Sequence, residues 1–169
     1  MKSLLLLIVF ALGFIQFGCS KKTDDEYMQL ASNSVKQNNI SQAVQAYQDL
    51  IKTYPNSPKV PDAIFQLATL YQNKMVKGIQ SRESLQKAVD LFKSLYDKYP
   101  QNQYAPKALF MSGFILANDL QDYSQATLTF KIFLNKYPNN ELAQSVKEEL
   151  DNMGLSPAEV LQKKKDKKL

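Results

Sequence analysis

The chain of 169 residues, 44% of them hydrophobic, is long enough for one folded unit with a real core once a targeting segment is set aside. It has no His and a single Cys, which removes the usual zinc ligands, the commonest general base, any Cys/His nucleophile pair and any disulfide within the chain. The net charge of +5 sits at the end, residues 162–169 holding five Lys and one Asp while residues 21–161 hold fifteen basic and fifteen acidic side chains; the neutral body lacks the clustered cations a phosphate backbone requires, and no nucleic-acid partner is expected.

Lys2 gives a short positive start, residues 4–14 (LLLLIVFALGF) form an unbroken apolar run, and Gly18-Cys19 ends the segment. Residues 1–18 have the anatomy of a secretory signal peptide, and the run is shorter than the roughly 20 residues that span a bilayer. The placement of the one cysteine resembles a lipobox, with Gln16 and Phe17 standing where a Leu and a small residue are usual. It implies a diacylglycerol-bearing Cys19 as the mature N-terminus, two or more acyl chains sufficing for stable anchoring; the alternative is a buried thiol in an uncleaved anchor. Ser20 and Lys21 follow, without the Asp that resembles an inner-membrane retention signal, so a periplasm-facing place on the bacterial outer membrane is expected. Residues 19–26 are taken as a lipidated linker, with 22–26 (KTDDE) a polar spacer.

Beyond it, Tyr54-Pro55, Tyr99-Pro100 and Tyr137-Pro138 each close an amphipathic segment. Twelve residues before each proline stand Ala43, Ala88 and Ala126; eight before, Tyr47, Phe92 and Phe130; sixteen before, Asn39, Ser84 and Asp122. The last three are N-cap residue types, and Gln42 and Gln125 complete capping boxes. Thirteen residues after the first two prolines come Ala68 and Gly113, and twelve before Ala43 comes Ala31; a small residue there lets helix backbones approach closely. The spacing predicts helix pairs at 25–38 with 40–54, 58–74 with 82–99, and 103–118 with 123–137. The proline spacings of 45 and 38 leave seven additional residues between Ala68 and Ala88, placed in an extended loop at 75–82 (MVKGIQSR), a plain insertion or a site of added function.

Residues 141–153 carry Leu142, Val146, Leu150 and Met153 on one stripe, as a capping helix would, and Gly154 is a plausible stop. Ser156-Pro157-Ala158-Glu159 opens a further helix with a capping box and a proline in the first turn. It runs into the Lys-rich tail, a solvated end or a weak attraction to anionic lipid or polymer. The acids are scattered over caps and exposed faces, so neither a two-carboxylate enzyme nor a small-molecule substrate is expected.

These landmarks resemble the tetratricopeptide repeat, a helix–turn–helix unit with small, small, aromatic and proline positions, over most of 27–138. The resemblance implies an all-α solenoid of about three helix hairpins plus a C-terminal capping helix, with residues 27–153 the solenoid and 154–169 a short helix and tail. The segments YPNSPKVPDAIFQLATLYQ (54–72) and YPQNQYAPKALFMSGFILA (99–117) resemble the family's envelope-lipoprotein branch, in which BamD-type members of the outer-membrane β-barrel assembly machine and CpoB-type cell-division coordinators are found. It implies a non-enzymatic scaffold for envelope proteins or peptides, without cofactor or metal, in outer-membrane protein assembly; the alternative is a periplasmic holdase or an envelope-coordination factor. Transferred residue by residue, the partner-binding groove falls on Asp25, Met28 and Ser32 in the first repeat, on Asp62, Phe65, Thr69, Gln72 and Asn73 in the second, and on Lys107, Phe110, Phe114 and Asn118 in the third. Solvated, the three Phe rings would be a binding patch; packed between repeats, they would be core. Gln72, Asn73 and Asn118 suit hydrogen bonding to a peptide backbone.

Overall fold

Eight α-helices follow one another in the computed structural model, which describes residues 21–166, and no strand occurs among the described residues. They are α1 (Asp24–Lys36), α2 (Ile40–Thr53), α3 (Val60–Gln72), α4 (Ser81–Lys98), α5 (Ala105–Phe114), α6 (Tyr123–Lys136), α7 (Ala143–Asn152) and α8 (Pro157–Asp166), with a π-helical turn (Ile115–Asp119) extending α5. The signal segment, Cys19 and the last three residues lie outside the described part.

From α1 to α7 each helix packs chiefly on the next, and the π turn also reaches back to α4. This nearest-neighbour order is what an α-solenoid requires, because no single hairpin can bury its apolar face alone. The core runs along the stack. Ala31, Ala43, Ala68, Ala88 and Ala126 are fully buried beside Phe92, Phe130 and Phe133, each large ring contributing about 1.5–3 kcal/mol of burial free energy. Gly113 shows why the small position must be small: a Cβ there would stand 2.5 Å from Phe130 Cε1.

The Tyr-Pro connections repeat atom by atom. After each tyrosine a first turn forms (Ser57 N to Tyr54 O 2.9 Å, Asn102 N to Tyr99 O 2.9 Å, Asn140 N to Tyr137 O 3.1 Å), followed by a second that leads into α3, α5 and α7. This pair of turns sets the helix starts at Val60, Ala105 and Ala143, two residues later than the spacing predicts. Pro61 and Pro106 sit in the first turn of their helices, where a missing N–H costs nothing.

Asn39 and Asp122 are the predicted caps, each side chain accepting from the amide three residues on, at 3.3 and 3.0 Å. Neither forms a capping box with its glutamine, because the cap amides of Asn39 and Asp122 already donate to Ser34 O and Leu116 O. Ser84 is not a cap. The inserted residues add a helical turn, so α4 begins at Ser81 and the buried Ser84 hydroxyl donates to Tyr71 O at 2.6 Å. The expected 75–82 loop is correspondingly shorter, and Met75, Val76 and Ile79 pack on the core instead of standing free. Asp24, Asp25 and Glu26, read from sequence as spacer, form the first turn of α1 under a capping box: Thr23 N donates to Glu26 Oε2 at 2.7 Å and Glu26 N to Thr23 Oγ1 at 3.2 Å.

The closing helices follow the sequence pattern. Ala143 and Val146 are the buried residues of α7, Gly154 turns with φ +79°, and Ser156 and Glu159 make the reciprocal box of α8. Glu159 is held below the usual carboxylate range by the Ser156 hydroxyl and then the Ser156 amide.

Candidate partner-binding site

Two hollows open on the face formed by the first helix of each hairpin. One, of about 410 Å³, lies between α1 and α3 and is lined by Met28, Ser32, Val35, Lys36, Tyr47, Asp62, Gln66, Thr69, Leu70, Asn73 and Met75. The other, of about 460 Å³, lies between α5 and the start of α7 and includes Tyr104, Lys107, Phe110, Met111 and Leu142.

Five of the sequence-predicted groove positions therefore meet in the first hollow: Met28, Ser32, Asp62, Thr69 and Asn73. They meet because α1 and α3 present the same face one repeat apart. Gln66 Nε2 donates to Asp62 Oδ1 at 3.2 Å, one turn along α3, and Thr69 Oγ1 donates to Phe65 O at 2.9 Å. Tyr47 reaches the hollow from α2; burial, followed by the negative charge of Asp62, pushes its phenol up, so it stays a neutral donor. Met28, Val35, Leu70 and Met75 supply apolar wall, the two thioethers being adaptable in shape. Polar groups on an apolar wall suit an extended polypeptide, whose backbone needs hydrogen bonds and whose alternate side chains need somewhere dry.

Lys107 and Phe110 line the second hollow. Phe65 lies in neither. It is 9% exposed, stacked on Tyr104 with centroids 4.9 Å apart, edge-on to Phe92 at 5.4 Å, and covered by the Lys107 ammonium 5.4 Å from its centroid. The ring is core between repeats two and three, not an accessible anchor, because repeat three folds an aromatic and a long aliphatic stem over it. Phe110 and Phe114 are half-buried, 6.1 Å apart.

The remaining predicted positions are engaged elsewhere. Asp25 pairs with Lys59 at 3.2 Å, and Asn118 Nδ2 donates to Phe114 O at 3.2 Å and to Glu149 Oε2 at 3.1 Å, tying the third repeat to α7. Gln72, half-buried at the end of α3, lines neither hollow.

Sequence reasoning missed Gln66, Tyr47 and Met75. Gln66 stands one helical turn after Asp62, a spacing that marks a shared face. Met75 could not be placed, since its position depends on how the insertion folds back. Missed too was the work of the tyrosines before each proline. Tyr99 Oη donates to Pro55 O at 3.4 Å and Tyr137 Oη to Pro100 O at 2.8 Å, each reaching the equivalent turn of the preceding repeat. Tyr54 Oη donates to Lys22 O at 2.7 Å.

Among the described residues no helix is long and apolar enough to cross a membrane, and no group of His, Cys, Asp and Glu side chains could hold a metal ion. The sequence model of the YfiO family, described as outer membrane lipoprotein, matches residues 14–118, and that of a tetratricopeptide repeat family matches residues 107–140. The first begins at the last residue of the apolar run and takes in Cys19 and the helices through most of the π turn; the second covers most of α5 and all of α6. No curated protein matches the sequence.

Proposed function

Because the chain belongs to the YfiO family of outer membrane lipoproteins and is built of tetratricopeptide repeats, we propose that it is a non-catalytic scaffold, anchored in the outer membrane through acylated Cys19 and facing the periplasm, that holds an extended segment of another envelope protein during outer-membrane protein assembly. The observation that carries this reading is the α1/α3 hollow, where Ser32, Asp62, Gln66, Thr69 and Asn73 stand over apolar wall. A backbone laid there exchanges water for those side chains, and its apolar residues find Met28 and Leu70. The second hollow extends the same face toward Phe110.

The test is affinity purification from membranes, comparing the native protein with the double variant Thr69→Arg/Asn73→Arg. Both positions lie outside the core, so helicity by circular dichroism stays at the native level while partner recovery falls at least about tenfold, or 1.4 kcal/mol. Recovery equal to native would overturn the hollow as the binding site. For the anchor, acyl labelling is expected in the native protein and lost in Cys19→Ala.

A holdase has less support. The strongly exposed large apolar side chains among the described residues fall into two small groups, Leu128 (53%) with Ile132 (42%) on α6, and Tyr123, Leu155 and Leu161 around the start of α8. A client-covering chaperone needs one broad apolar face.

A further inference from the structure

From Lys22 onward the chain is fastened to the body instead of hanging from it. Lys22 O accepts from Tyr54 Oη at 2.7 Å, taking the place that Pro55 O and Pro100 O take toward the tyrosines of the next repeats. Two residues on, the Asp24 carboxylate accepts from Ser57 Oγ and, at 3.2 Å, from Lys59 Nζ, which also lies 3.2 Å from Asp25 Oδ1. The Ser57 hydroxyl, followed by Lys59, holds Asp24 below the usual carboxylate range, and Asp25, followed by Asp24, holds Lys59 above the usual ammonium range. Both groups stay charged at neutral pH. With the Thr23–Glu26 capping box between the two fastenings, no slack remains from Lys22 onward.

The geometry points to a fixed pose on the membrane: the edge of the solenoid that carries the Tyr54, Tyr99 and Tyr137 turns lies against the bilayer surface in which the acyl chains of Cys19 are seated. This rests on the lipid anchor proposed above. Only three residue steps separate Cys19 from Lys22, at most about 10 Å of fully extended chain. The headgroup layer is itself about 5–8 Å thick, so a clamp 10 Å from the anchor sits at the headgroups or just above them. The clamp belongs to the first Tyr-Pro turn, and the phenol-to-carbonyl bonds align the later turns with it. Lys52, Lys98 and Lys136, in the last turns of α2, α4 and α6, stand along this edge with Lys59, and its acids are Asp24, Asp25, Asp97 and Glu141, so the pose rests on the short tether and not on a cationic face. The connections at Asn38, Lys74 and Gln121 lie at the other ends of these helices, about 20 Å away for a helix of thirteen residues.

Acylated protein, carrying a single added cysteine at Asn56→Cys or Lys77→Cys, would be labelled with a nitroxide and reconstituted in phosphatidylethanolamine/phosphatidylglycerol vesicles containing a nickel-chelating headgroup lipid. Both positions are exposed, one on each edge. Relaxation by the headgroup nickel is expected to be at least threefold stronger at Asn56→Cys, and Tyr54→Phe/Lys59→Gln in the same background is expected to remove most of the difference. Equal relaxation at the two positions, or stronger relaxation at Lys77→Cys, would overturn the pose. Mass measurement of the same preparation separates the two ideas: an acylated chain with equal relaxation refutes the pose alone, whereas a chain without acyl groups refutes the anchor and the pose together.

Discussion

Phe65 and Phe110 stand at the same place in successive repeats, three residues before the small residue of α3 and α5, yet one ring is buried and the other half-exposed. The difference comes from the repeat that follows. Over Phe65 lie Tyr104 and Lys107, four and seven residues past Pro100; the residues so placed after Pro138 are Leu142 and Ser145, and an open hollow remains beside Phe110. In the first repeat the position is Met28, with Lys59 and Asp62 as its covering pair, and a hollow is open there too. A groove position in a solenoid is thus made accessible or buried by its neighbour's side chains, not by its own identity.

The sharpest way to break this comparison is truncation of the two rings. Phe65→Ala is expected to cost about 3–5 kcal/mol in urea unfolding, as buried aromatic truncations do, and Phe110→Ala about 1–3 kcal/mol. Equal losses would mean that the covering residues make no difference. Second in size is Gly113→Ala. A mid-helix Gly→Ala exchange ordinarily gains about 0.5–1 kcal/mol, but here the methyl meets the fully buried Phe130 ring, so a loss of about 1–3 kcal/mol is expected from overpacking; a gain in the same unfolding assay would show that the ring can yield. The smallest effects separate the connections. Asn39→Ala removes a cap, costs about 1 kcal/mol and speeds amide exchange at Gln42. Ser84→Ala removes one buried hydrogen bond, costs about 0.5–1.5 kcal/mol and leaves exchange in the first turn of α4 unchanged.

The hairpins themselves were legible in the sequence because their landmarks are local. A proline ends a helix, an Asn or Asp caps the next, and an alanine marks each close approach, so six repeat helices and the closing pair fall within a few residues of their expected places. Ser84 misled because its spacing from Pro100 matches a cap, while the insertion before it supplied enough residues for one more turn and made Ser84 a donor to the carbonyl that an amide serves in the other repeats. The π turn was not legible, since nothing in ILAND departs from ordinary helical chemistry. Asp62, Thr69 and Asn73, placed by transfer from the repeat family, line one hollow together, whereas the burial of Phe65 depends on Tyr104, thirty-nine residues on. Long-range covering of this kind leaves no periodic trace.

The nearest-neighbour order of the stack has a thermodynamic corollary. With almost nothing linking one repeat to the next but one, the array melts as a row of weakly coupled links that frays inward from its ends. A polypeptide lying across α1 and α3, as proposed, would hold two neighbouring links together and reinforce the α2/α3 junction that already joins them. Occupancy would then register as a later melting transition of the first two repeats, legible in the host before the guest has been identified.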